Sequence, residues 1–146
     1  MNGKGLAMLK CRKDELSLHL RIPADRCYLG NALLTLEGIC DHFSVRDDSR
    51  NHIKNALESA LTKLIDLSYQ KNCGLFDLKF SMFKDKLQIT VEDFMLLDDK
   101  SGQDSVSPLN PDLIRQSLEK VICMADEFKV TQENGRHACY SMQFNL

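Results

Sequence analysis

Ser59, Lys63 and Asp66 follow one another at spacings of four and three, which places all three on one face of a helix. A serine hydroxyl has no useful basicity near neutral pH, so Ser59 does not serve as a general base. Lys63 and, further along, Arg115 are cationic donors and can hold an anion without metal. The plainer reading of Ser59, Lys63 and Asp66 is a polar stripe on a solvated helix face. Asp93 closes an alternating strand, where a carboxylate by default faces solvent. His19, His42, His52 and His137 show no metal spacing such as His-Glu-x-x-His. Among the six cysteines there is no Cys-x-x-Cys pair and no zinc pattern.

The elements that must position these groups are legible from periodicity. Leu16, Leu18, Leu20 and Ile22 alternate with Ser17, His19 and Arg21, the period of a half-buried strand, and Pro23 stops it. Tyr28, Leu29, Ala32, Leu33, Leu36, Ile39, Cys40 and Phe43 recur at helical spacing. Asp47, Asp48 or Ser49 can cap a second helix, whose apolar side runs through Ile53, Leu57, Ala60, Leu61, Leu64 and Leu67 to about Tyr69. Phe76, Leu78, Phe80 and Met82, then Leu87, Ile89 and Val91, line two strands joined by a tight turn at Lys84-Asp85. A polar loop from Asp98 to Pro108 precedes a third helix, with Asn110 as cap and Pro111 at its first position. Phe128 and Val130, the turn Glu133-Asn134-Gly135-Arg136, and Ala138, Tyr140, Met142 and Phe144 make a closing hairpin. The order β-α-α-β-β-α-β-β predicts an α+β fold: an antiparallel or mixed sheet with three helices on one face, in two layers.

Length and composition agree with one domain. The 146 residues are 43% hydrophobic and 27% charged, as in a globular protein. A net charge of −2 offers no footprint for nucleic acid, and no apolar run approaches membrane-span or signal-peptide length. The expectation is a short tail over residues 1–13 and a single domain over residues 14–146, in the cytoplasm, with its cysteines reduced. Cys40 lies on an apolar helix stripe, where a thiol behaves as a small hydrophobe.

Several segments carry a family resemblance. Arg21-Ile22-Pro23-Ala24, Tyr28, Leu29-Gly30 and Leu34-Thr35-Leu36 resemble the opening strand and first helix of the bacterial anti-sigma-factor serine/threonine kinases, which have the GHKL (Bergerat, histidine-kinase-like ATPase) fold. Ala60, Thr62 and Tyr69 fit that family's second helix without a gap. Phe83-Lys84-Asp85-Lys86-Leu87 through Val91-Glu92-Asp93 fits its central hairpin, and Asp126-Glu127-Phe128-Lys129-Val130 its penultimate strand. The likeness runs over roughly residues 16–144.

The resemblance also implies a nucleotide site, and here the sequence departs from the family. The family's second helix carries a glutamate base and, four residues on, an asparagine that holds Mg²⁺. The ungapped register puts Ser59 and Lys63 there. A unit positive charge some ~4 Å from Mg²⁺ costs several kcal/mol at an effective dielectric near 20. Glu58 is one residue away, which is about 100° around a helix. A shifted register recovers it but loses the matches at Ala60, Thr62 and Tyr69. Asp93 is kept; in the family this aspartate bonds the adenine amino group. The glycine expected two residues later is Met95, whose side chain is expected to fill the adenine space. The phosphate turn aligns with Ile114-Arg115-Gln116-Ser117, without glycine, and Asn110-Pro111-Asp112 lacks one N–H and adds a negative charge.

The family's nucleotide-site positions are therefore Ser59, Lys63, Asp93, Met95, Arg115 and Ser117, mostly substituted. No catalytic residue, metal ligand or cofactor is expected, with ATP and Mg²⁺ required only if the family activity survives. The implied function is regulation of transcription by partner switching: binding to a sigma factor, a STAS-domain anti-anti-sigma protein or a second copy of the chain, without nucleic acid or membrane. The region from Leu16 to Phe43 is the expected contact surface, with Ser17, His19 and Arg21 opposite the apolar row. A working serine kinase and an unrelated binding module on the same fold are the alternatives.

Overall fold

The computed structural model describes residues 15–68, 74–95, 111–133 and 137–146. Five strands, β1 (Glu15–Pro23), β2 (Gly74–Phe83), β3 (Lys86–Met95), β4 (Glu127–Glu133) and β5 (His137–Asn145), form one sheet in the order β1-β2-β3-β5-β4. Every pairing is antiparallel, so of the two expected sheet types the antiparallel one is observed. The helices are α1 (Leu29–His42), α2 (Asp47–Ser68), α3 (Pro111–Ser117) and α4 (Glu119–Met124), with a 3₁₀ turn at Arg26–Tyr28 before α1.

The alternation of each strand decides which face the helices cover. Phe76, Leu78, Phe80 and Met82 of β2 are at most 2% exposed, and Leu87, Ile89 and Val91 of β3 are fully buried. Tyr140, Met142 and Phe144 of β5 continue this row. Their neighbours Asp77, Lys79, Ser81, Gln88 and Ser141 lie on the other, open face, which is the half-buried pattern of an antiparallel sheet. Ala32, Leu36, Ile39 and Cys40 of α1 and Ile53, Ala56, Leu57, Ala60, Leu61 and Leu64 of α2 close the second layer. Burial pushes the Cys40 thiol pKa upward, in keeping with a buried, unreactive cysteine. Cys27, Cys40, Cys123 and Cys139 are free thiols.

Two local expectations need correction. The carbonyl of Arg46 accepts the first helical hydrogen bond of α2, from the Arg50 N–H at 2.8 Å. Asp47 and Asp48 thus sit inside the first turn, where they complement the helix dipole and do not cap. The expected third helix is divided at Leu118 into α3 and α4, so four helices cover the sheet. Hydrogen bonds from Leu118 N–H to Ile114 and from Ile122 N–H to Leu118 span the junction, and the apolar stripe runs through it unbroken. The tight turn at Lys84-Asp85 is present, with Phe83 opposite Lys86 and Lys84 in the left-handed region at φ 55°. The Asp98–Pro108 loop, the Asn110 cap and the Asn134-Gly135 turn lie outside the described residues. Among the described residues no helix is long and apolar enough to cross a membrane.

Candidate functional site

The long helix α2 has two flanks, each marked by its neighbour. Towards α1, Lys54 Nζ pairs with Glu37 at 2.7 Å and Arg50 Nη1 with Asp41 at 2.6 Å. Towards α4, His52 Nε2 lies 2.6 Å from the carbonyl oxygen of Met124, the last residue of α4. His52, which has no metal spacing in the sequence, ties the two helices, and its ring also meets Phe144 edge-on.

Helical period then assigns the candidate residues. Ser59 is seven residues beyond His52 and Lys63 eleven, so both lie on the α4 side. Ser59 is half-buried and Lys63 exposed, and among the described residues Lys63 makes no ion pair. Glu58 is one turn beyond Lys54 and belongs to the α1 side, exposed. The register shift that would bring Glu58 into the site therefore has no support from the helix orientation. Asp66 is exposed as well, and it is held by Arg26 of the 3₁₀ turn. Of the two nearby carboxylates, Glu58 is turned off the Ser59–Lys63 flank, and Asp66, three residues beyond Lys63 on the same face, is taken up by Arg26.

Asp93 differs from its expected surroundings. It is 2% exposed and continues the inward row Leu87, Ile89, Val91, so the reading of a solvent-facing carboxylate at the strand end is overturned. It sits between Phe76 of β2 and Ala138 of β5, its direct partners across the two ladders. Tyr140 is opposite Val91, one diagonal step from Asp93 on the same face. Its ring is 1% exposed and its hydroxyl is buried without a hydrogen-bond partner among the described residues. Desolvation, and after it the Asp93 charge, pushes the Tyr140 pKa well above the usual phenol range. Nothing in the sequence singled out this hydroxyl, because its environment depends on the β3–β5 register.

The remaining candidates are less convergent. Met95 is the last residue of β3, opposite Gly74, and its side chain lies outside the described residues. Arg115 is exposed on α3 and Ser117 half-buried at its end. Helix α3 opens with Pro111 and the exposed Asp112, so its first turn lacks one N–H and carries a negative charge. Mg²⁺ demands oxygen ligands, usually one or two carboxylates with phosphate oxygens. A hydroxyl beside a free ammonium on the Ser59–Lys63 flank does not fit it. Two surface cavities, of about 290 and 540 Å³, lie at the other end of the sheet, around Ser49, Asn145 and Leu146.

On the open face, Arg21 is not a free charge. Its Nε and Nη2 reach the two oxygens of Asp77 at 2.6 and 2.8 Å, a bidentate pair between β1 and β2. That hydrogen bond raises the guanidinium pKa above its ordinary value. Ser17 and His19 are exposed beside it, on an edge strand that pairs with β2 alone among the described residues.

No protein-family model matches the sequence. The chain is 26% identical over 127 residues to the serine-protein kinase RsbW of Bacillus velezensis, covering 81% of this chain and 79% of that one. It is 27% identical over 128 residues to the serine-protein kinase RsbW of Staphylococcus epidermidis, covering 81% and 80%. A chain in the crystal structure of the SiaB–SiaC complex from Pseudomonas aeruginosa superposes with a TM-score of 0.52 at 10% identity, over 100% of this chain and 99% of that one. The family resemblance carried by the hairpin and helix segments is borne out: across 81% of its length this α+β chain is similar to the RsbW serine-protein kinases, on a GHKL-like fold.

Proposed function

We propose that this chain is an anti-sigma-factor-like regulator that works in the cytoplasm by binding protein partners, its ATP·Mg²⁺ chemistry lost or impaired. The observation that carries the reading is the α4-facing flank of α2. It presents Ser59 and a Lys63 that is in no ion pair among the described residues, while Glu58 is turned to α1 and Asp66 is held by Arg26. A base and a metal ligand are thus missing together from the place where the resemblance puts them. Protein binding needs complementary surface and not catalysis, so it survives this loss. By resemblance the partner is a sigma factor, a STAS-domain protein or a second copy, and β1 with its exposed Ser17 and His19 offers an open sheet edge. The burial of Asp93 favours a second reading, a working serine kinase, because the family's base-recognising carboxylate is kept.

Titration calorimetry with ATP·Mg²⁺ separates the two. The expected result is no binding tighter than about 1 mM. Ligand at 100-fold over its dissociation constant stabilises by about 2.7 kcal/mol, so a thermal-shift assay reads the same question. A micromolar affinity overturns the regulator-only reading. Co-purification with sigma factors or STAS-domain proteins, or self-association in light scattering, is expected; a strictly monomeric protein that captures neither class favours the unrelated-module alternative.

A further inference from the structure

The outward positions of β2 are polar through Asp77, Lys79 and Ser81, and then the strand ends on Phe83. That ring is 52% exposed, and its direct partners across the two ladders, Glu15 and Lys86, give it no apolar neighbour there. Lys84 Nζ lies 5.4 Å from the ring centroid, a cation–π contact that holds the ammonium at the turn. Lys84 and Asp85, the two residues of the turn, are exposed, and among the described residues neither side chain makes an ion pair. The turn itself is fixed, because the Asp85 carbonyl accepts from the Leu146 N–H at 2.7 Å. Beside it opens the cavity of about 540 Å³, lined by the apolar Phe43, Val45, Met82 and Leu146 and by Lys84 and Asp85. Its size is that of pockets that seat a ligand, ample for one aromatic side chain.

We propose that the β2–β3 turn is a self-association surface, on which Phe83 of each copy seats in the cavity of the other and Lys84 faces the partner's Asp85. The inference rests on the second copy named among the partners in the proposed function, and it moves the contact from the β1 edge to this turn. A two-fold interface brings the same patch of two molecules together, so residue i meets residue j and j meets i. The patch meets that condition in shape, because an exposed aromatic and an apolar cavity stand side by side. It meets it in charge as well, because adjacent residues carry opposite signs and cross the two-fold as two attractive pairs. A different protein would need to supply one half of each match; a surface holding both halves is complementary to itself. With one aromatic and one charge pair from each side, the contact belongs to the small, transient class and not to obligate dimers.

The test is light scattering and sedimentation of the full chain up to about 1 mM, with melts to confirm that each variant is folded. The native chain is expected to dimerise reversibly with a Kd of about 10–100 μM, the weak range that a small interface gives. Phe83→Ser is expected to weaken the dimer at least about ten-fold, as loss of an aromatic anchor does. Lys84→Glu and Asp85→Lys are each expected to do the same, since one substitution places two like-charge pairs across the two-fold. Mixing the two single variants, or joining both changes in one chain, is expected to bring the affinity back to within about three-fold of native. That rescue is the signature of this geometry, which a merely destabilised turn does not produce. A chain that stays monomeric at 1 mM overturns the proposal, and so does a dimer that none of these substitutions weakens or that the charge exchange does not rescue. A dimer broken only by substitutions at Ser17 and His19 keeps the second copy in the proposed function and discards this surface. Micromolar ATP·Mg²⁺ binding by a chain whose dimer responds as expected does the reverse.

Discussion

The two flanks of α2 are built on different principles. Towards α1, two ion pairs cross the interface: Lys54 with Glu37, and Arg50 with Asp41. Arg50 also reaches the Val45 carbonyl, leaving only its Nε buried without a bond. Towards α4, one histidine ties the helices, and further along stand a half-buried serine and an exposed lysine that makes no ion pair among the described residues. A flank whose charges are matched holds two helices together. On the α4 side the ties are His52 to the Met124 carbonyl and, further along, Asp66 to Arg26, with Lys63 between them exposed and in no ion pair among the described residues. The proposed loss of chemistry falls on one side of one helix, while the packing beneath both sides is intact.

That shared packing gives the largest expected effect. Leu61 of α2 is fully buried in the core. Leu61→Ala should cost about 2–5 kcal/mol, transfer and cavity terms together. Denaturant melts measure it directly. A cost below about 1 kcal/mol, the range of exposed substitutions, would mean that α2 is not anchored as described.

The α1 flank predicts a smaller, specific effect. Lys54 and Glu37 are about one-third exposed, so their pair is partly screened. A double-mutant cycle with Lys54→Ala and Glu37→Ala should return a coupling of about 0.2–1 kcal/mol, weakened by salt. The same cycle between Lys63 and Asp66 should return nothing measurable, since Asp66 is engaged with Arg26. Equal couplings on both sides would erase the distinction between the flanks.

Which of these features could be read in the sequence follows from how local they are. The inward rows of β2, β3 and β5 were legible because alternation is a local property, and so was the Lys84-Asp85 turn between two such rows. Asp93 exposed a conflict between two local signals. Its place in the Leu87, Ile89, Val91 period points inward, while its residue type argues for solvent, and the period won. The break at Leu118 left no trace, because Ile114, Leu118 and Val121 keep the apolar stripe running across it. The hydroxyl of Tyr140, the Arg26–Asp66 pair and the bidentate hold of Asp77 on Arg21 join residues far apart in the chain. The last of these changes a practical choice. Reversing the charge at Arg21 would set it against Asp77 and disturb the β1–β2 ladder, so Ser17 and His19 are the cleaner positions for testing the open edge.

The smallest expected effect is the most telling about the α4 flank. Ser59→Glu with Lys63→Asn writes the base and the metal ligand back at the positions the resemblance assigns. Lys63 is exposed, without an ion pair among the described residues, and Ser59 only half-buried, so stability should stay within about 0.5 kcal/mol of the native chain. No ATP hydrolysis or serine phosphorylation should appear in a sensitive phosphate-release or radiolabel assay. The reason lies at the start of α3. A transferred phosphate is held chiefly by free backbone N–H groups and positive charge. Pro111 removes one such N–H and Asp112 repels the anion. Restoring the α2 flank supplies a base with nothing positioned in front of it. Recovered turnover in the double mutant would show that the lost chemistry was confined to those two side chains, and that the α3 entrance tolerates phosphate after all.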